Sequence, residues 1–110
     1  MNNNLGIILD PNSFKNIKEV VKKADNYNFH SAWVTELYRS SFEQLTFIAE
    51  ITKNIKIGSA VTLAFIRSPL ITAISAMDID SLSNGRLILG LGSGAINTNR
   101  KWHGSENFDK

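Results

Sequence analysis

A chain of 110 residues, 43% hydrophobic and 20% charged, has the composition of one ordinary globular domain, with room for a modest core and none for a second. Twelve Lys and Arg against ten Asp and Glu give a net charge of +2 and are interspersed, so there is no basic arm of the kind nucleic acid needs. The absence of cysteine excludes disulfides, a thiolate nucleophile and a thiolate metal site, and no apolar run resembles a signal peptide or is long enough to span a bilayer. The expectation is a cytoplasmic protein.

Leu5-Gly6-Ile7-Ile8-Leu9 is a short apolar run closed by Asp10-Pro11-Asn12, the pattern of a buried strand ending in a turn. Asn12 or Ser13 can cap a helix running to about Asn26, in which Phe14, Ile17, Val20, Val21 and Ala24 recur at helical spacing. Ser31-Ala32-Trp33-Val34 reads as a second strand. Ser41 can cap a second helix with Phe42, Leu45, Ile48, Ala49 and Thr52 along one face. The segment from Ile55 to Val61 is short and rich in β-branched residues, which predicts a third strand. Ser68-Pro69 supplies an N-cap and a first-turn proline for a third helix carrying Leu70, Ala73, Ile74, Met77 and Leu82, and Gly85 suits the left-handed position past its end. Leu87-Ile88-Leu89-Gly90-Leu91 is the fourth strand.

Strand and helix thus alternate four times, which calls for right-handed βαβ units and an α/β fold with a parallel sheet. An open doubly wound sheet and part of a closed barrel both satisfy the pattern. Gly90-Leu91-Gly92-Ser93-Gly94 admits three readings: half of a dinucleotide fingerprint, a plain strand-to-loop turn, or a loop touching a phosphate or ring at the C-terminal end of a barrel strand. The first lacks its context, because no good helix and no acid-ended strand follow the glycines.

Several segments together resemble the luciferase-like family of flavin- and deazaflavin-dependent oxidoreductases. They are Ala32-Trp33-Val34-Thr35-Glu36, Ile57-Gly58-Ser59-Ala60-Val61-Thr62 with Arg67-Ser68-Pro69, and, most specific, the run from Asp78 through Asn84-Gly85-Arg86-Leu87 to Gly92. Trp102-His103-Gly104 is further similar to the deazaflavin-dependent subgroup. The resemblance implies a (β/α)8 TIM barrel of about 250 residues or more, of which residues 1–110 would be the N-terminal half, with four of the eight strands. It implies hydride transfer through coenzyme F-420, an 8-hydroxy-5-deazaflavin, or alternatively monooxygenation through FMN, on a small-molecule substrate. A non-catalytic truncated remnant is the other reading. Cofactor contacts are expected at Glu36, Ala60, Val61, Thr62, Ser93 and Gly94, with a cis peptide between Ala60 and Val61. A homodimer is expected, and no metal site.

Two departures narrow the chemistry. Related sugar-phosphate dehydrogenases and methylene-tetrahydromethanopterin reductases carry a histidine after the acid of strand two, where this chain has Leu37. The dehydrogenases also carry a glutamate after the glycine loop, where this chain has Ala95. His103 is the candidate proton donor, since imidazole titrates near neutral pH, with a rim-shaping role as the alternative. His30, at a helix-to-strand junction, reads as structural. Arg67 could meet a phosphate or equally form a salt bridge near the third helix.

Overall fold

The computed structural model of the protein describes residues 4–95. Strand β1 (Gly6–Ile8) leads into helix α1 (Phe14–Asn26), whose first turn is capped by Ser13 Oγ accepting from Asn16 N at 3.1 Å. Strand β2 (Ser31–Val34), helix α2 (Ser41–Ile51) and strand β3 (Lys56–Ser59) follow, then strand β4 (Thr62–Leu63), helix α3 (Pro69–Leu82), and strands β5 (Leu87–Ile88) and β6 (Leu91–Gly92). No helix among the described residues is long and apolar enough to cross a membrane.

The sheet order β1-β2-β3-β5 follows the chain, and every pairing is parallel. That order separates the two architectures left open by the sequence. A doubly wound sheet reverses its order so that helices cover both faces. Right-handed crossovers that always step the same way place all the helices on one face, as in a barrel. The fold is accordingly a partial (β/α)8 barrel, with helices outside and the future interior open.

The third and fourth strands differ from the expectation in being broken. Residues 60 and 61 interrupt β3 and β4, residues 89 and 90 interrupt β5 and β6, and β4 pairs with β6 in a second small parallel sheet, Thr62 opposite Leu91. The hydrogen bonds that carry the ladder across the break are Ala60 N to Val34 O at 2.8 Å and Thr62 N to Gly90 O at 2.7 Å.

Ala32, Val34 and Ile57 turn toward the helices and pack with Ile17, Val21 and Ala24 of α1, Leu45, Ile48 and Ala49 of α2, and Ile79 of α3. Helix α3 departs from its predicted stripe: Thr72 and Ile79 are its buried residues, while Leu70, Ile74, Met77 and Leu82 are exposed. The helix is apolar on every side, so its periodicity does not say which side meets the sheet. Its ends are as expected. Ser68 Oγ accepts from Ile71 N at 3.1 Å, Pro69 opens the first turn, and Asn84 and Gly85 leave the helix at φ 57° and 79°.

Polar side chains fix the N-terminal end of the sheet. Asp25 accepts from the backbone N–H groups of Lys53, Asn54 and Ile55 just before β3. Arg86, 7% exposed, donates to Ser83 O, Ile55 O, Ala49 O, Thr52 O and Thr52 Oγ1. It thereby caps the C-terminus of α2 and joins it to the start of β3 and the end of α3, where a cation is favoured by the orphan carbonyls.

Candidate functional site

Parallel α/β barrels build their sites from the loops at the C-terminal ends of the strands. Here that end gathers Glu36 after β2, Ala60 and Val61 after β3, Gly90 between β5 and β6, and Ser93 and Gly94 after β6. The Ala60–Val61 peptide bond is cis, at the position expected from the resemblance.

Glu36 is the organising charge. Its Oε2 accepts from Ser41 N at 2.7 Å, from Ser41 Oγ at 2.9 Å and from Arg67 Nη2; its Oε1 accepts from Leu63 N and from Arg67 Nη1, both at 2.8 Å. A carboxylate offers about four lone-pair positions, so the protein itself saturates this one. The side chain is 5% exposed and its Arg67 partner 17%. Burial alone would push the Glu36 carboxyl up, but the Arg67 guanidinium, the N–H groups of Ser41 and Leu63 and the Ser41 hydroxyl overcome it and hold the pKa at about 2. The same fork raises the pKa of Arg67.

The expected cap of α2 changes as a result. Ser41 lies inside the helix, Ser40 stands at the N-cap without a side-chain cap bond, and the Glu36 carboxylate takes the orphan N–H of Ser41 instead. Of the two roles open for Arg67, the structure shows the salt bridge, with the guanidinium also 4.8 Å from the centre of the Phe42 ring.

Behind the cis bond runs a line of buried hydroxyls. Ser41 Oγ stands 2.9 Å from Thr62 Oγ1, Thr62 Oγ1 donates to Ser59 Oγ at 2.8 Å, and Ser59 Oγ donates to Gly90 O and accepts from Gly90 N. Ser41, Ser59 and Thr62 are each at most 1% exposed. The network ties the ends of β2, β3 and β5 to the start of α2 and fixes the backbone that displays Ala60 and Val61. Gly90 is required for its closeness: a Cβ there would sit 2.1 Å from Ser59 O. A Cβ on Gly92 would meet Val61 Cγ2 at 2.6 Å, so Val61 packs directly against the β6 backbone.

The structure therefore brings Glu36, Ala60, Val61, Thr62, Ser93 and Gly94 to one end of the sheet but divides their tasks. Ala60, Ser93 and Gly94 are exposed and small, and Val61 is partly exposed, so they form a surface of backbone and short side chains. Thr62 and Glu36 are buried behind that surface and hold it. His103 lies outside the described residues. Sequence reading took Ser41 only as a helix cap and Ser59 only as part of the third-strand segment, because their hydroxyls signal nothing further until the fold joins them to Glu36 and Gly90.

A flat cofactor ring fits these residues, because the exposed Ala60, Ser93 and Gly94 and the partly exposed Val61 leave the backbone open to close approach where β3 and β4 are interrupted. Among the described residues, no group of three or more His, Cys, Asp or Glu side chains is placed to hold a metal ion.

The family model described as luciferase-like monooxygenase matches residues 2–110. The 5,10-methylenetetrahydromethanopterin reductase of Methanopyrus kandleri is 39% identical over 80 residues, 71% of this chain and 23% of that protein. The enzyme of the same name from Methanolobus tindarius is 39% identical over 80 residues, covering 71% of this chain and 24% of its own length. Among solved structures, the coenzyme F-420 dependent tetrahydromethanopterin reductase from Methanopyrus kandleri superposes with a TM-score of 0.81 at 36% identity, covering 92% of this chain and 30% of that one. The oxygenating constituent of 3,6-diketocamphane monooxygenase from Pseudomonas putida, in complex with FMN, gives a TM-score of 0.82 at 23% identity over 97% of this chain and 34% of that one, a likeness of fold alone. The chain spans between about a quarter and a third of the length of these relatives.

Proposed function

From the premise that the chain belongs to the luciferase-like monooxygenase family, we propose that residues 1–110 are the N-terminal part of a single barrel domain in an oxidoreductase that works through coenzyme F-420. The observation that carries the reading is the displayed surface at Ala60 and Val61, flanked by Gly92, Ser93 and Gly94. The deazaflavin is preferred to FMN because the relatives at 36 to 39% identity include a reductase named for coenzyme F-420, whereas the FMN-bound relative supports the fold only.

When bound, the cofactor supplies the centre that gives or accepts hydride. The chain's own residues do the positioning. Ala60 and Val61 present the backbone against which the ring lies, and Ser93 and Gly94 allow close approach from the next strand end. Glu36 acts indirectly. Its carboxylate, saturated by Ser41, Leu63 and Arg67, holds the segment after the bulge in place through the Leu63 N–H. Leu37, 44% exposed on the neighbouring loop, has no proton to give, and His103 is the proposed donor. A small-molecule substrate and association into a homodimer complete the proposal.

Titrating the whole protein with the 8-hydroxy-5-deazaflavin and with FMN, and following the anisotropy of each cofactor's own emission, tests the choice. Tighter binding of the deazaflavin is expected. Tighter binding of FMN overturns the cofactor assignment, and binding of neither overturns the oxidoreductase reading.

A further inference from the structure

The three helices differ in what they turn to solvent. Helix α1 exposes Lys15, Lys18, Glu19 and Lys22, and α2 exposes Glu43, Thr46 and Glu50, the polar covering expected of helices on the outside of a barrel. Helix α3 instead exposes Leu70, Ile74 and Met77. At about 100° per residue, these three fall within roughly 60° of one another and opposite the buried line of Thr72 and Ile79. Completing the barrel does not cover them. The flank of α3 that carries Pro69, Thr72 and Ala73 shares a cleft with Leu89 and Leu91 at the border of the sheet, which is where the next helix of a barrel packs. Helix α2 packs on α3 from the side away from that border. The stripe of Leu70, Ile74 and Met77 lies between these two flanks, on the outer pole.

Apolar residues spaced four and then three apart form the seam by which one helix meets another, and a stripe centred on its own midpoint can meet a copy of itself about a two-fold axis. We propose that this pole of α3 is the surface through which two copies of the protein associate, with the two α3 helices antiparallel and crossing near Ile74. Charge sets the direction. Helix α3 has no acidic residue in its first turn and no basic residue in its last, so its end turns carry no charge that offsets its dipole. Asp78 borders the stripe, next to Met77. In a parallel pair it would face Asp78 of the second copy. In an antiparallel pair centred on Ile74 it stands beside Leu70 in the first turn of the second α3, the end of a helix that favours an anion, while Met77 packs beside Leu70 and Ile71 of that copy. The proposal rests on the homodimer in the function proposed above and gives that homodimer its surface.

The test measures the dimer dissociation constant of the whole protein by sedimentation velocity over a concentration series, with far-UV circular dichroism to verify that each variant is folded. The wild type is expected to be a dimer. Ile74→Glu should weaken it by about 100-fold or more, because it brings two like charges together at the two-fold axis. Lys18→Glu, on the exposed side of α1, should stay within a few-fold of the wild type. Asp78→Lys reads the direction: it places a cation at the N-terminus of the second α3 at both symmetric contacts and should weaken the dimer about tenfold. A wild type that stays monomeric throughout removes the homodimer and this surface together and leaves the cofactor reading untouched. A folded Ile74→Glu protein that dimerises like the wild type, or a Lys18→Glu protein that dissociates as readily as Ile74→Glu, overturns the surface and leaves the homodimer. An unchanged constant for Asp78→Lys overturns the antiparallel arrangement.

Discussion

Replacing Arg86 by methionine is expected to destabilise the fold by about 3 to 5 kcal/mol, among the largest effects of any single substitution in the chain. The guanidinium is 7% exposed and serves four backbone carbonyls and the Thr52 hydroxyl. Methionine fills much of the volume but leaves those acceptors without donors in a site that water does not reach. Ala49 and Thr52 lie at the C-terminus of α2 and Ile55 just before β3, so their loss frees the α2–β3 connection from the end of α3. Asp25 feels the change too, since the Arg86 charge is one of the influences that lower its carboxyl pKa, after the N–H groups of Lys53, Asn54 and Ile55 have offset the effect of burial. Urea unfolding at a fixed chain concentration measures the loss, because any association couples to unfolding. A change below about 1 kcal/mol would show that the carbonyls find other donors.

Replacing Glu36 by glutamine is expected to cost a comparable amount, about 3 to 5 kcal/mol, because it leaves Arg67 a largely buried charge without its paired carboxylate, with only the more distant Glu43 charge to offset it. An amide also offers only one acceptor oxygen where the carboxylate takes up donors on both, so the N–H groups of Ser41 and Leu63 and the Arg67 fork compete for it. The same contacts fix the direction of the acid response. With the Glu36 pKa lowered from 4.5 to about 2, the stabilisation is fully present above pH 4.5 and is lost as pH falls from there toward 2. The lowered Asp25 carboxyl acts in the same sense below its own ordinary value of 3.8. Stability of the wild type should therefore fall through this window, and that of Glu36→Gln should fall less. Parallel pH profiles for the two proteins would show that the Glu36 carboxylate is not the group that titrates.

What the sequence made legible was local. The positions of the strands, the Ser68-Pro69 start of α3 and the left-handed Gly85 are written in neighbouring residues and appear as read, but β1, read as buried, leaves Leu5 and Ile8 exposed because only its helix-facing side is covered by this sheet. The choice between open sheet and barrel was not legible, because it depends on strand order, which only the register of β1, β2, β3 and β5 reveals. The stripe of α3 was misread for a related reason: apolar residues surround the helix, and Leu70 and Met77 fit a core-facing pattern as well as Ile79 does. The networks around Arg86 and Glu36 escaped notice because their partners lie about 30 residues away in sequence, as Ile55 does from Arg86 and Arg67 from Glu36. A lone arginine or glutamate in a sequence is read as solvated surface by default. The resemblance placed Glu36 at the site, yet only the structure shows its carboxylate already saturated.

The central claim is that residues 1–110 are part of a barrel whose site needs the strands that complete it. Ile8, 71% exposed, and Ile88, 37% exposed, lie in register beside Trp33 and Gly58 on the inner face, and Leu70 and Met77 on α3 are 67% and 71% exposed. Among the described residues, the strands at the two borders of the four-stranded sheet, β1 and β5, each pair with a strand of that sheet on one side only, leaving the edges that a closed barrel removes. Apolar surface and open edges of this kind drive association. The most direct measurement is the mass of residues 1–110 in solution by light scattering, made alongside an assay of deazaflavin reduction. The account predicts dimers or larger assemblies without turnover; a well-folded monomer that turns over would contradict it.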